Sequence, residues 1–376
     1  MLNWRDLSHP AAGGAEVVTM RVLERLAKRG WAIEWFSAAY EGCLPHEVSN
    51  GITFVRAGSQ MTTHLEAFKR YRKRRAEFDV VVDQINTIPF YAVRYMQAPV
   101  VAFFHQLAQE VWIYEKGPIV GRLGAALEPA YLRPYRKSPV LTVSQSSAQS
   151  LRDIGFRGPI TILDEAVDEP CDAAPSEKSP ARDVVVIARL TPSKRIDHAI
   201  RAAGIMRERG WQGRLSIVGR GSDPRYTASL HRLAAQLLPD RCEFVDPKAS
   251  GSVGSITNVR TELLRSCSAT WYTSVREGWG LVITEANCHG TPAVVYRVPG
   301  VVDAVKDGVT GLVCDPNPES LARATLELFG PRYGQFAEAA LRDAAWRNWD
   351  LTTDEFESAL LDVIRARAPE AGTNRR

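Results

Sequence analysis

The stretch REGWGLVITEANCHGTP, residues 276–292, sets two carboxylates, Glu277 and Glu285, around a Gly-Trp-Gly turn. Residues 269–275 before it are apolar, small and β-branched, the pattern of a buried strand, while 281–289 followed by Gly290, Thr291 and Pro292 has the pattern of a short helix with a stop. Glu277 is therefore expected on a strand-to-helix loop and Glu285 on the helix. Gly278 and Gly280 let the backbone approach a ligand closely, and the N–H groups of Gly278, Trp279, Gly280 and Leu281 suit phosphate oxygens. Charged acceptors hold hydroxyls more strongly than neutral ones. Paired acidic acceptors beside N–H donors fit a glycosyl nucleotide, which carries hydroxyls and a diphosphate. The Glu-x7-Glu spacing alone would fit two surface glutamates; the flanking GWG and HGTP sharpen it.

Positive charge comes from a second segment. DVVVIAR, 183–189, reads as a parallel-sheet strand ending in Arg189, and LTPSK, 190–194, as a turn ending in Lys194 before a helix with Ile196, Ala199, Ile200 and Ala203 on one face. Ligands of open α/β sheets bind at the carboxyl ends of strands. There an arginine fork and a mobile lysine can neutralise a diphosphate as its charge develops. Arg195, next door, reads as a solvated helix start.

IARLTPSKRIDHAIRAA (187–203) and REGWGLVITEANCHGTPAVV (276–295) together resemble the nucleotide-sugar domain of retaining glycosyltransferases of family 4, glycosyl transferases group 1, which have the GT-B fold. The resemblance extends over nearly the whole chain, through NWRDLSHPAAGGAEVV (3–18), DQINTIPFYA (83–92), VVAFFHQLAQEVWIYE (100–115) and PVLTVSQSS (139–147). It implies an α/β chain of two Rossmann-like doubly wound parallel-sheet domains facing a central cleft. It also implies that Glu285 accepts from ribose hydroxyls, Glu277 holds the transferred sugar, and Arg189 and Lys194 bind the diphosphate. Gly13 and Gly14, before a helix expected over 16–29, would bring N–H donors from the other domain. His105, at the end of strand 100–104, would stand beside the reacting centre; His289 is expected to pack.

The reaction so implied is sugar transfer with retention, the leaving phosphate helping to deprotonate the acceptor, so positioning and electrostatics are the protein's main contribution. The donor is expected to be a UDP- or GDP-sugar. The chain has no Asp-x-Asp triplet, so metal independence is expected, with no metal ligands and no cofactor. The acceptor, a small molecule, lipid-linked saccharide or glycan, is expected near Asn86, Trp112 and Tyr114. Two rival readings are a degenerate sugar-nucleotide-binding scaffold and a nucleotide-sugar epimerase or nicotinamide enzyme. All four motif charges are present against the first. Gly219-Arg220-Gly221, lacking a third glycine, is weak support for the second.

At 376 residues the chain exceeds the usual single core. The expected division is 1–169, the acceptor-side domain, 170–350, the nucleotide-sugar domain, and 351–376, a helix crossing back to the first domain plus a disordered tail; the boundary is placed in EPCDAAPSEKSPA, 169–181. Strands are expected at 32–37, 80–83, 100–104, 140–143 and 160–163, then at 183–188, 215–219, 242–245, 269–273 and 293–296. The first strand is cut to Leu2-Asn3-Trp4, so that either the natural start lies upstream or the sheet tolerates a stub. Ala166 stands where the family usually has glycine, and 247–258 is a Gly/Ser-rich loop expected on the donor-base side. Six cysteines without CxxC pairing and no signal peptide fit the cytoplasm. A net charge of +4 does not imply nucleic-acid binding. The basic run Lys69–Arg75 admits peripheral membrane contact or a solvated helix face, the latter favoured.

Overall fold

The structure, a computed structural model, describes residues 1–246 and 253–367, the side chains of 253–258 excepted. Two compact units emerge: 1–108 with 125–166 and the chain from 348 onward, and 109–124 with 167–347.

The first unit contains α1 (Gly14–Lys28), β1 (Ile33–Ser37), β2 (His46–Ser49), β3 (Ile52–Arg56), α2 (Thr63–Lys73), β4 (Val81–Gln84) and β5 (Val100–Phe103). α3 (Gln109–Lys116) groups with the second unit, α4 (Pro118–Tyr131) spans the boundary, and β6 (Val140–Thr142), α5 (Gln145–Asp153) and β7 (Ile160–Ile162) return to the first. The strands make two runs, β1-β3-β2 and β4-β5-β6-β7, parallel except for β2 against β3. Leu2 joins them: it bridges Phe36 of β1 and Asp83 of β4, donating N–H to Val82 O at 2.8 Å and accepting from Gln84 N at 2.9 Å. The expected stub is thus reduced to one bridging residue, its side chain in an apolar core with Phe36, Tyr71, Ile85, Phe104 and Tyr135. β2 and β3 form a hairpin through Asn50 and Gly51, both at positive φ, as a type I′ turn demands.

The second unit contains β8 (Val184–Ile187), α6 (Ile196–Glu208), β9 (Leu215–Val218), α7 (Pro224–Leu237), β10 (Cys242–Val245), α8 (Val253–Ser266), β11 (Ala269–Tyr272), α9 (Leu281–Asn287), β12 (Ala293–Tyr296), β13 (Gly311–Cys314), α10 (Pro318–Leu328) and α11 (Tyr333–Ala345). Its sheet runs β10-β9-β8-β11-β12-β13, all parallel. The central strands, buried on both faces, carry continuous apolar runs such as Val184-Val185-Val186 and Ala293-Val294-Val295, while the edge strand β10 is only partly buried. Side-chain caps start two of its helices: Asp223 accepts from Arg225 N before Pro224, and Asn317 from Ser320 N before Pro318. Of the 247–258 loop, 247–252 lies outside the described residues, as does 368–376, and α8 begins at Val253.

The final helix, α12 (Trp349–Arg367), belongs to the first unit and packs on α1. Arg25 pairs with Asp350 at 3.0 Å, Arg29 with Asp354 at 2.7 Å and Glu357 at 2.5 Å, and the Trp31 indole donates to Glu357 at 2.6 Å.

Candidate functional site

Numbered from β8, the second sheet has the order 3-2-1-4-5-6, which reverses between β8 and β11. Connections leaving those two strands turn to opposite faces and open a crevice at their carboxyl ends. Arg189 follows β8 and Glu277 follows β11, and the register Val184↔Ala269 brings both exits to one edge. The two loops are stitched together: Val275 N donates to Ser193 O at 2.9 Å, and the Thr273 hydroxyl to Lys194 O at 2.7 Å. The Lys194 ammonium and Glu277 carboxylate form a mostly buried ion pair. Glu277 N donates to Pro299 O at 3.1 Å, and a Cβ on Gly300, which has φ +86°, would lie 2.0 Å from Glu277 O. Only glycine fits there.

Glu285 projects from α9 and is paired with Arg260 of α8. Burial raises its carboxyl above the ordinary value; Arg260 opposes the rise, and Glu169 and Asp168 add to it. Tyr272, ending β11, lies in the fields of Glu277, Glu285, Arg260 and Arg189. Arg189 is exposed, and its guanidinium makes no hydrogen bond or ion pair among the described residues. The Trp279 indole turns inward, donating to the Thr284 hydroxyl at 3.0 Å beneath the Arg347 guanidinium, so only its backbone faces outward chemistry. Gly280, at φ +112°, begins α9.

The Gly219-Arg220-Gly221 segment supports the Arg189 loop. Leu190 N donates to Arg220 O at 2.8 Å, and a Cβ on Gly219 would lie 1.9 Å from Ala188 O. These glycines serve backbone packing. α3 braces the other side: Arg276 bonds Glu110 and Gln109, each at 2.7 Å, Glu115 accepts from the Ser193 hydroxyl, and Arg195 donates to the Tyr114 hydroxyl at 3.0 Å. The three acceptor candidates are therefore divided. Trp112 and Tyr114 lie in the second unit, Trp112 packed against Gly124, whereas Asn86 lies in the first, donating to Asn3 at 2.9 Å.

In the first unit, Gly13 is extended and Gly14 opens α1, but the Gly13 N–H donates to the buried Glu16 carboxylate at 2.7 Å. The Gly13 amide is thus engaged within its own turn, and Gly14 N has no partner among the described residues. His105 follows β5 and is fixed on both sides: Nε2 lies 3.1 Å from Gln84 Nε2 and Nδ1 3.3 Å from the buried Glu165. Because the Thr19 hydroxyl donates to Gln84 Oε1 at 2.9 Å, the Gln84 amide presents its NH2 to the ring.

His289, expected to pack, is fully buried and bonded at both nitrogens, to Asp172 at 2.9 Å and Glu169 at 3.1 Å. The 69–75 run is partly neutralised within the chain: Lys69 pairs with Glu66 at 2.9 Å, and Arg74 with Glu34 at 2.8 Å and Glu77 at 2.6 Å. No helix of the described residues is long and apolar enough to cross a membrane. Sequence reasoning missed Tyr272, Arg260, Gln84 and Glu165, whose relevance comes from neighbours distant in sequence. It also missed Gly300, although Pro299-Gly300 is a turn signal.

Two α/β units built mainly on parallel strands, the second with paired acidic and basic groups at its strand-order reversal, have the GT-B architecture of glycosyltransferases. The glycosyl transferases group 1 profile matches residues 172–332 and the glycosyltransferase family 4 profile residues 12–169. D-inositol 3-phosphate glycosyltransferase of Stackebrandtia nassauensis is 30% identical over 95% of this chain and 88% of its own, and that of Acidothermus cellulolyticus 28% over 96% and 88%. Among solved structures, sucrose-phosphate synthase from Thermosynechococcus elongatus superposes with a TM-score of 0.72 at 20% identity, covering 96% of each chain. Anabaena HepE in complex with UDP-glucose gives 0.70 at 18%, covering 96% of this chain and 98% of that one. The chain belongs to glycosyltransferase family 4, group 1, and is an enzyme of that type.

Proposed function

We propose that the enzyme transfers a sugar, with retention of anomeric configuration, from a nucleoside diphosphate sugar held at the β8–β11 reversal. The observation that carries this reading is the convergence of Arg189, Lys194, Glu277 and Glu285 on one sheet edge. In the proposed complex Glu285 accepts from the ribose hydroxyls, taking them in place of Arg260, and Glu277 accepts from the transferred sugar. Arg189 and Lys194 neutralise the diphosphate as the glycosidic bond to it breaks. Backbone N–H groups of 278–281 add donors to the phosphates. The leaving phosphate takes the acceptor proton, and the two cations replace a metal ion in this scheme. His105, held between Gln84 and Glu165 in the first unit, is read as an oriented polar group rather than a free base.

UDP is the proposed nucleotide, supported by the complexes of HepE with UDP and UDP-glucose. Because the full-length relatives are named for D-inositol 3-phosphate, that compound is the first acceptor to assay. The test is calorimetric binding of UDP, GDP and ADP, with and without chelator, to the wild type and Glu285→Ala. Selective, chelator-insensitive UDP binding weakened at least ~10-fold in the variant is expected, the loss of a charged hydrogen bond. Absence of nucleotide binding to the wild type would remove the basis of the proposal.

A further inference from the structure

The segment entering the second unit lies against the end of the helix that carries Glu285. Asp172 N donates to Cys288 O at 2.8 Å, Ser176 N to His289 O at 3.1 Å, and Asp172 also pairs with His289 and Arg265. This backbone bond brings Cys171 and Cys288 alongside each other, compatible with the ~4.4–6.8 Å Cα separation that disulfides adopt. Cys288 is the buried C-cap of α9, Cys171 is half-buried, and each thiol acts on the ionisation of the other.

We propose that Cys171 and Cys288 form a redox-modifiable thiol pair that closes to a disulfide and ties residues 169–178 to the carboxyl end of α9. The partners divide the chemistry. Cys171 is the accessible sulfur, its thiol lowered chiefly by the hydrogen bond from Cys288 against burial and the charges of Asp172 and Glu169. Cys288, as donor in that bond and buried, is raised. The thiolate is the nucleophile, so attack begins at Cys171. The half-buried Cys242 and the buried Cys267 and Cys314 have their thiols pushed up to about 12, chiefly by desolvation, and are poor competitors.

With a low-molecular-weight disulfide as oxidant, the Cys171 thiolate attacks one sulfur, forming a mixed disulfide and releasing one thiolate. The Cys288 sulfur then attacks the Cys171 sulfur, forming the internal bond; the second small thiolate leaves and takes the Cys288 proton. Two protein thiols are oxidised and one small disulfide is reduced to two thiols.

The test uses the full chain treated with oxidised glutathione and mapped by mass spectrometry under non-reducing conditions. The expected product has lost two hydrogens and joins the peptides carrying Cys171 and Cys288. Dithiothreitol reverses it, and it raises the thermal midpoint of the wild type. Cys288→Ser should stop the reaction at glutathione on Cys171, and Cys171→Ser should abolish it. In the untreated wild type Cys171 should alkylate before the cysteines at 242, 267 and 314, a readout needing no variant. A persistent glutathione adduct on wild-type Cys171, a bridge between other cysteines, or slower alkylation of Cys171 would each overturn the proposal. None of these readouts depends on nucleotide binding, so this proposal and the donor-site reading fail separately.

Discussion

Glu285 sits where burial and the nearby Glu169 and Asp168 oppose its ionisation. A carboxyl raised in the folded chain is protonated more readily there than in the unfolded one. Its contribution to stability is therefore present below the unfolded value of ~4.3 and is lost as pH rises through the folded value. Function has the opposite requirement, because ribose hydroxyls need the ionised acceptor. Affinity for UDP is expected to fall, on acidification from neutrality, before an ordinary glutamate would titrate, whereas Glu285→Gln should bind weakly with a flat profile. Calorimetry across that range compares them; parallel pH dependence would exclude Glu285 as the titrating group. Lys194 faces both Glu277 and the proposed diphosphate, so Lys194→Ala is expected to reduce kcat/KM by about 10²–10³, the scale for removing one preorganised transition-state donor. Initial rates with a competent donor and acceptor test this, and a loss under tenfold would place the leaving group elsewhere.

At the scale of elements, Gly300 acts on Glu277 without touching a ligand. Gly300→Ala would drive a methyl into Glu277 O from a left-handed backbone, so activity is expected to fall together with the thermal midpoint, read by rates and melting curves. Leu2→Ala should cost about 2–5 kcal/mol in denaturant unfolding, the range for emptying a buried leucine site, because this side chain lies under the seam between two strand runs. Ten of the parallel strands were legible as short, largely apolar runs, as at 184–187 and 293–296, whereas the parallel β3 and β13 were not expected. β2 was not: His46–Ser49 is largely exposed and polar, and the Asn50-Gly51 turn that announces the hairpin went unweighed. The glutamate motif was legible because its strand, loop and helix are consecutive. The fixation of His105 was hidden, since Gln84 ends β4 and Glu165 follows β7, both distant from it in sequence.

For the whole molecule, the consequential departure from the expected division is the placement of 109–124, supplied from within the first half of the sequence to the second unit. A fragment of 167–347 lacks the Glu110 and Gln109 partners of Arg276 and the Glu115 partner of Ser193. It is expected to melt below the corresponding part of the full chain, and a peptide of residues 109–124 added in trans should raise its midpoint by mass action. An unchanged midpoint at saturating peptide would show that α3 adds nothing to that unit's stability. The return of α12 to the first unit bears on biosynthesis. Thr352 bonds Asp164 O at 2.5 Å and Glu355 accepts from Asp164 N at 2.8 Å, contacts that bridge the entire second unit in the chain. A ribosome delivers residues in order, so everything from 167 to 347 is made before the helix that completes the first unit exists. The nascent first unit therefore waits, throughout synthesis of the second, with the α1 surface that receives α12 uncovered.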